Sequence, residues 1–162
     1  KLLEMDVDVV EYDDSVRVVR RGPLHRCNIK TMPHPGFPTD MQPQFAVLLA
    51  LARGTSIITE GVWDNRFRYV DELRRMGANI QVDGKVAVFE GVDALQGAPI
   101  KATDLRAGAA MIIAALAAQG VTEVEEICHI ERGYESIEEK LQALGADIRR
   151  VPVQVAVTAK AQ

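Results

Sequence analysis

Three arginines and two aspartates stand out by type and spacing: Arg66, Arg106 and Arg132, with Asp40 and Asp104. Each aspartate follows a threonine, as Thr39-Asp40 and Thr103-Asp104, just ahead of a run rich in apolar residues. Threonine or aspartate in such a place suits a helix N-cap, because its side-chain oxygen accepts an orphan N–H of the first turn. A helix start carries about half a positive charge and free N–H groups, which makes it a ready anion site. Guanidinium groups add planar forks that match carboxylate or phosphate. If these helix starts converge on one face, that face binds a small, strongly anionic ligand. A plainer reading is equally open at this point: the aspartates only cap helices, and the arginines pair with them.

The elements that must position these residues recur along the chain. A segment reading KLLEMDVDV from Lys1 returns as ELRRMGANI from Glu72 and as KLQALGADI from Lys140, at offsets of 71 and 68 residues. A fixed period of this length means stacked or ring-arranged copies of one supersecondary unit. The unit reads β-α-β-α-β-β. The first full copy, residues 28–90, has strand 28–31, helix 41–52, strand 55–60, helix 67–76 and strands 78–83 and 85–90 joined at Asp83-Gly84. The second, residues 98–158, has strand 99–102, helix 105–119, strand 121–127, helix 134–144 and strands 146–151 and 153–157. In helix 134–144, Ile137, Leu141 and Leu144 share one face. Helices 41–52 and 105–119 are apolar nearly all round, the pattern of buried helices. Residues 1–21 read as the end of a third copy, with strands 7–12 and 15–20 turning at Asp13-Asp14. Most of that copy is therefore expected upstream of Lys1, which makes the chain a single incomplete domain. The helices of the three copies end at Asp6, Gly77 and Gly145. Aspartate tolerates the left-handed conformation better than most residues with a β-carbon, so Asp6 is a mild departure. The insert Pro33-His34-Pro35-Gly36-Phe37-Pro38 occurs in one copy only, and such inserts in repeat proteins tend to carry function.

Composition sets outer limits. With 48% hydrophobic and 26% charged residues in 162, the chain reads as an ordinary globular domain. No apolar run approaches the ~20 residues of a membrane span. A net charge of −4 argues against a general nucleic-acid surface. Two cysteines, Cys27 and Cys128, make no disulfide framework, which suits the cytosol. Cys128 ends a strand in this reading and is expected in the core. His25, Cys27 and His34 match no zinc spacing, so no metal site is expected. Trp63 and Phe67 line a pocket or fill the seam between copies, with the seam favoured for Phe67.

Four segments carry a resemblance: Pro35 to Gln42, Asp64-Asn65-Arg66-Phe67, Thr103-Asp104-Leu105-Arg106 and His129 to Tyr134. In order and spacing they resemble the UDP-N-acetylglucosamine enolpyruvyl transferases, over the chain as far as about Val151. The resemblance implies an inside-out α/β barrel of repeated βαβαββ units, here about two complete units plus the end of a third. It implies transfer of the enolpyruvyl group of phosphoenolpyruvate to the 3-hydroxyl of UDP-N-acetylglucosamine, an early step of peptidoglycan synthesis in the cytoplasm, with no cofactor. By the same resemblance Asp40 hydrogen-bonds the sugar hydroxyl and removes its proton, and the main chain of Val62 contacts the UDP-sugar. Arg66, Arg106 and Arg132 surround phosphoenolpyruvate, and Asp104 positions charged groups around them. Asp64 departs from the glutamate common among relatives. The family's reactive cysteine belongs to a mobile loop of a second domain, and neither Cys27 nor Cys128 matches it. The chain alone is therefore expected to be inactive and to self-associate. Two rivals stand: the sister transferase that acts on shikimate 3-phosphate, and a non-catalytic binding module of the same fold.

Overall fold

A computed structural model describes residues 1–152. The first hairpin joins β1 (Val7–Glu11) and β2 (Val16–Arg20), paired antiparallel from Val7↔Arg20 to Glu11↔Val16. The next sheet has the order β3-β4-β6-β5. In it β3 (Ile29–Lys30) runs parallel to β4 (Thr55–Thr59), and α1 (Gln42–Ala50) lies in the crossover between them. After α2 (Val70–Arg75) come β5 (Asn79–Asp83) and β6 (Val86–Glu90), and β6 pairs antiparallel with both β5 and β4. The second unit opens with β7 (Pro99–Lys101), α3 (Leu105–Ala117) and β8 (Glu123–Glu125), with β7 and β8 parallel. Short helices α4 (Cys128–Glu131) and α5 (Ile137–Ala143) follow. The βαβαββ order expected from the repeat is thus present once in full, and its βαβ part a second time.

Packing follows from the pattern of side chains. On the four-stranded sheet Ser56, Ile58, Ile80, Ala87 and Phe89 face inward and are buried, while Thr55, Ile57 and Val86 face outward, the alternation of a sheet covered on one side. Helices α1 and α3 pack on one another. In α1, seven of nine residues are buried, from Gln42 to Ala50, as an apolar-all-round sequence demands. One core runs from Met5 and Val7 through Phe45, Leu49, Ile58, Leu73 and Phe89 to Ile100, Met111 and Ala114, so the copies share it. Glu72, nearly buried on α2, accepts the Lys101 N–H of β7 at 3.0 Å and an Arg75 bond at 3.1 Å, which ties the first full unit to the second.

Three helix ends share one backbone conformation. Gly77 and Gly145 have φ near +90° and Asp6 has φ 61°, so an aspartate fills the left-handed slot that glycine fills elsewhere.

The second unit departs from expectation in three places. Residues 146–151, read as a strand, make no ladder among the described residues. In the first unit the matching strand β5 pairs only with the following arm of its hairpin, β6; the corresponding arm, 153–157, lies outside the described residues. Cys128 is exposed and begins α4 rather than ending a strand in the core. Glu126 turns at φ 59° and stops β8, and Ile130 instead takes the buried place, beside Ala102 and Ile112. Leu144 is 84% exposed and does not join Ile137 and Leu141 against the core.

Candidate active site

The one-copy insert delivers Asp40. After β3 the chain loops out and returns: the Met32 N–H donates to the Phe37 carbonyl at 3.0 Å, and the Phe37 ring meets Phe45 of α1 edge-on at 5.0 Å. From Pro38 the chain enters a 3-10 turn, Thr39–Met41, that runs into α1. The sequence left Asp40 open as a helix cap or as a functional carboxylate. The structure removes the first: neither the turn nor α1 has a side-chain cap, and the Gln42 N–H donates to the Thr39 carbonyl instead.

Free of capping, the Asp40 carboxylate faces two arginines. Arg106 grips it with Nε at 2.9 Å from Oδ1 and Nη2 at 3.0 Å from Oδ2, and Arg66 Nη2 lies 3.3 Å from Oδ1. Arg106 comes from the first turn of α3, whose start is fixed by Asp104. That side chain accepts from the N–H groups of Arg106 and Ala107 at 2.9 and 3.0 Å, a true N-cap as expected. Arg66 comes from the segment before α2, at a bend where Asn65 has φ 55°. Residues from two units therefore meet at one carboxylate.

Arg132 is not bonded into this group: among the described residues it is exposed, with no hydrogen bond or ion pair. Its neighbours fix its backbone against α3: a β-carbon on Gly133 would meet Leu105 at 3.0 Å, and one on Gly108 would meet Ile130 at 2.6 Å. Val62 is partly exposed, and its N–H donates to Glu60 Oε1 at 2.9 Å. Phe67 is buried in the seam and Trp63 is 60% exposed.

Two buried side-chain donors have no partner among the described residues. Arg66 Nε is buried and unpaired, as is Gln42 Nε2, although Gln42 Oε1 accepts from Tyr69 at 2.8 Å. Buried donors are rarely left so, and spare ones beside guanidinium groups fit an anionic ligand. Tyr69 titrates well above its ordinary value, first through burial, with Arg66 opposing and Glu60 and Asp104 assisting. The phenol therefore stays neutral and can donate to Gln42.

Sequence reasoning missed Glu60. It is 1% exposed and accepts four hydrogen bonds, from Thr31, Thr39, Val62 and Trp63. Burial acts to raise its pKa, but those bonds outweigh burial and hold it below the ordinary carboxylate value. The only signal in the sequence was a charged residue closing an otherwise uncharged strand.

The arrangement can bind an anion and hold a carboxylate at its edge. Known proteins resemble this chain. The sequence pattern of the family described as EPSP synthase (3-phosphoshikimate 1-carboxyvinyltransferase) matches residues 1–141. UDP-N-acetylglucosamine 1-carboxyvinyltransferase 3 of Caldanaerobacter subterraneus subsp. tengcongensis is 64% identical over 151 residues, 93% of this chain and 36% of that protein. UDP-N-acetylglucosamine 1-carboxyvinyltransferase of Clostridium botulinum is 55% identical over the same shares. Among solved structures, the enolpyruvyl transferase NikO from Streptomyces tendae superposes with a TM-score of 0.85 at 37% identity, over 93% of this chain and 35% of NikO. EPSP synthase from Acinetobacter baumannii superposes at 0.67 with 20% identity, over 92% of this chain and 36% of its own, which speaks for fold alone. The chain spans about a third of the length of these relatives. With the family pattern matched over residues 1–141 and the mixed α/β fold shared, the chain belongs to the EPSP synthase (3-phosphoshikimate 1-carboxyvinyltransferase) family.

Proposed function

We propose that this chain forms part of a UDP-N-acetylglucosamine enolpyruvyl transferase, and that Asp40, Arg66, Arg106, Arg132, Asp104 and Val62 line its active site. The observation that carries the reading is the Asp40 carboxylate held by Arg66 and Arg106 from two units. Phosphoenolpyruvate is small and multiply anionic. Its carboxylate or phosphate takes the place of Asp40 on the guanidinium forks. Release from the forks leaves the Asp40 carboxylate free to accept the proton of the sugar 3-hydroxyl. In the addition step the sugar oxygen bonds to C2 of phosphoenolpyruvate, Asp40 takes the hydroxyl proton, and C3 gains a proton from an acid outside this chain. In the elimination step C3 loses a proton, the double bond re-forms and phosphate leaves. Positioned proton transfer of this kind contributes roughly 10²–10⁴ in rate.

The identities of 55–64% to UDP-N-acetylglucosamine enzymes, against 20% to an EPSP synthase structure, support the UDP-sugar as acceptor. The family's description names 3-phosphoshikimate, so shikimate 3-phosphate is the second acceptor to test. In the full enzyme, residues 1–21 close one βαβαββ unit, and 28–90 and 98–158 form two more, grouped as an inside-out barrel with buried helices. Ile113 and Leu116 of α3, each more than 40% exposed, are apolar positions that a third central helix would cover. A second domain completes the cleft, and the enzyme works in the cytoplasm. Among the described residues no helix is long and apolar enough to cross a membrane.

The deciding experiment is phosphate release by the full enzyme with phosphoenolpyruvate and either acceptor. Release with UDP-N-acetylglucosamine alone supports the reading. Release with shikimate 3-phosphate alone assigns the sister activity. Binding without release with either acceptor makes it a binding module.

A further inference from the structure

We propose that Glu60 is a positioning residue: its buried carboxylate locks the 61–63 main chain to Thr39, and so sets the spacing between the sugar-contacting loop and Asp40. The inference rests on the reading above for what that loop binds. Glu60 Oε1 accepts from Thr31 Oγ1 at 2.7 Å, from the Val62 N–H at 2.9 Å and from the Trp63 N–H at 3.1 Å. Its Oε2 accepts from Thr39 Oγ1 at 3.0 Å. The Gly61 N–H donates to Thr31 Oγ1 at 2.8 Å. A β-carbon at residue 61 would sit 2.4 Å from the Thr31 carbonyl oxygen, so only glycine lets the loop rest on the end of β3.

No arginine, lysine or histidine pairs with Glu60 among the described residues, and four uncharged donors carry its charge alone. Burying a carboxylate is costly, and a well-packed apolar side chain in its place would avoid that cost. What an apolar residue could not supply is an acceptor for two loop N–H groups and two threonine hydroxyls at once. Those donors are placed tellingly. Val62 and Trp63 belong to the loop that leads to Arg66, Thr39 directly precedes Asp40, and Thr31 ends the strand below both. One side chain thus joins the segments that carry the base and the loop.

Three variants of the full enzyme separate positioning from plain stability: Glu60→Ala, Glu60→Gln and Thr39→Val. Charged hydrogen bonds of this type are each worth about a tenfold effect or more. Glu60→Ala is expected to raise KM for the UDP-sugar by at least roughly tenfold while KM for phosphoenolpyruvate moves by less than about twofold. The Val62 and Trp63 amides are expected to exchange hydrogen faster by a similar factor. Glu60→Gln keeps an oxygen acceptor for the loop and can donate to the Thr39 hydroxyl, so it is expected to restore most of both readouts. Thr39→Val cuts only the link to the Asp40 segment and is expected to lower kcat severalfold at an unchanged UDP-sugar KM. The proposal is overturned if Glu60→Ala lowers the melting temperature but leaves that KM and both amides unchanged, or if Glu60→Gln is as damaged as Glu60→Ala. Should Glu60→Ala not fold, Thr39→Val with unaltered kcat overturns it. If the wild-type enzyme does not bind the UDP-sugar at all, the functional reading fails, while amide exchange still judges the lock.

Discussion

The two Thr-Asp pairs occupy the same place in the repeat and do different work. Asp104 caps α3 through the N–H groups two and three residues on. Asp40 caps nothing and holds Arg66 and Arg106. The cause lies three residues downstream. Where Asp104 finds Ala107, Asp40 finds Pro43, which has no N–H to give, and the Gln42 N–H is already spent on Thr39. Proline suits the first turn of a helix but removes the donor a cap needs there. The preceding threonines differ too: Thr39 Oγ1 donates to Glu60, while Thr103 Oγ1 is buried without a partner. A proline in a repeated frame thus takes from Asp40 the N–H that lets Asp104 act as a cap.

The largest effect expected to separate the pair is kinetic. In the full enzyme, Asp40→Asn should lower kcat by roughly 10²–10⁴ with a modest change in KM, because asparagine keeps the shape but cannot take a proton. Asp104→Asn should leave kcat within about threefold, since asparagine caps about as well as aspartate. Steady-state kinetics of the two variants side by side would break the comparison if they behaved alike.

Next is the arginine set. Arg132→Ala should cost about 1.5–3 kcal/mol in phosphoenolpyruvate handling, with the UDP-sugar KM nearly constant. Arg132 has no protein partner to lose among the described residues, so the folded state should be unaffected. A change confined to the UDP-sugar KM would remove Arg132 from the anion site.

A smaller effect concerns stability. Asp104→Ala should cost about 0.5–2 kcal/mol in denaturant unfolding, the range for a lost N-cap. A cost near zero would mean that α3 needs no cap.

The smallest is a pH effect. Glu60 has its pKa lowered by folding, so its share of stability is complete above the ordinary carboxylate range and fades as pH falls through that range and below it. Glu60→Gln should flatten that acid limb of the stability curve. An unchanged limb would show that Glu60 titrates as it does in the unfolded chain.

Much of this was legible in residues read alone. The three left-handed helix ends, the hairpin, whose turn falls at Gly84-Lys85, one residue beyond the expected Asp83-Gly84, and the burial of α1 follow from local rules that glycine, aspartate and apolar periodicity write plainly. The meeting of Arg66 and Arg106 on Asp40 was foreseen only as one of two readings, because distance between units depends on tertiary packing that spacing does not encode. The failed cap at Asp40 was readable from Pro43, yet the repeat drew attention to likeness rather than to the one difference. Glu60 was not legible, since its meaning comes from Thr31 and Thr39, partners 29 and 21 residues away. Residues 146–151 make no ladder among the described residues, and the arm that would pair with them, 153–157, lies outside those residues.

The division of labour between the two aspartates is tested most directly by amide hydrogen exchange at the first turns of α1 and α3, in Asp40→Ala and Asp104→Ala. Removing Asp104 should speed exchange at Arg106 and Ala107 by about tenfold, because their acceptor is gone. Removing Asp40 should leave Gln42 within about twofold of its original rate, because that N–H is held by the Thr39 carbonyl. Gln42 accelerating as Arg106 does would make Asp40 a cap like its twin, and would contradict the account.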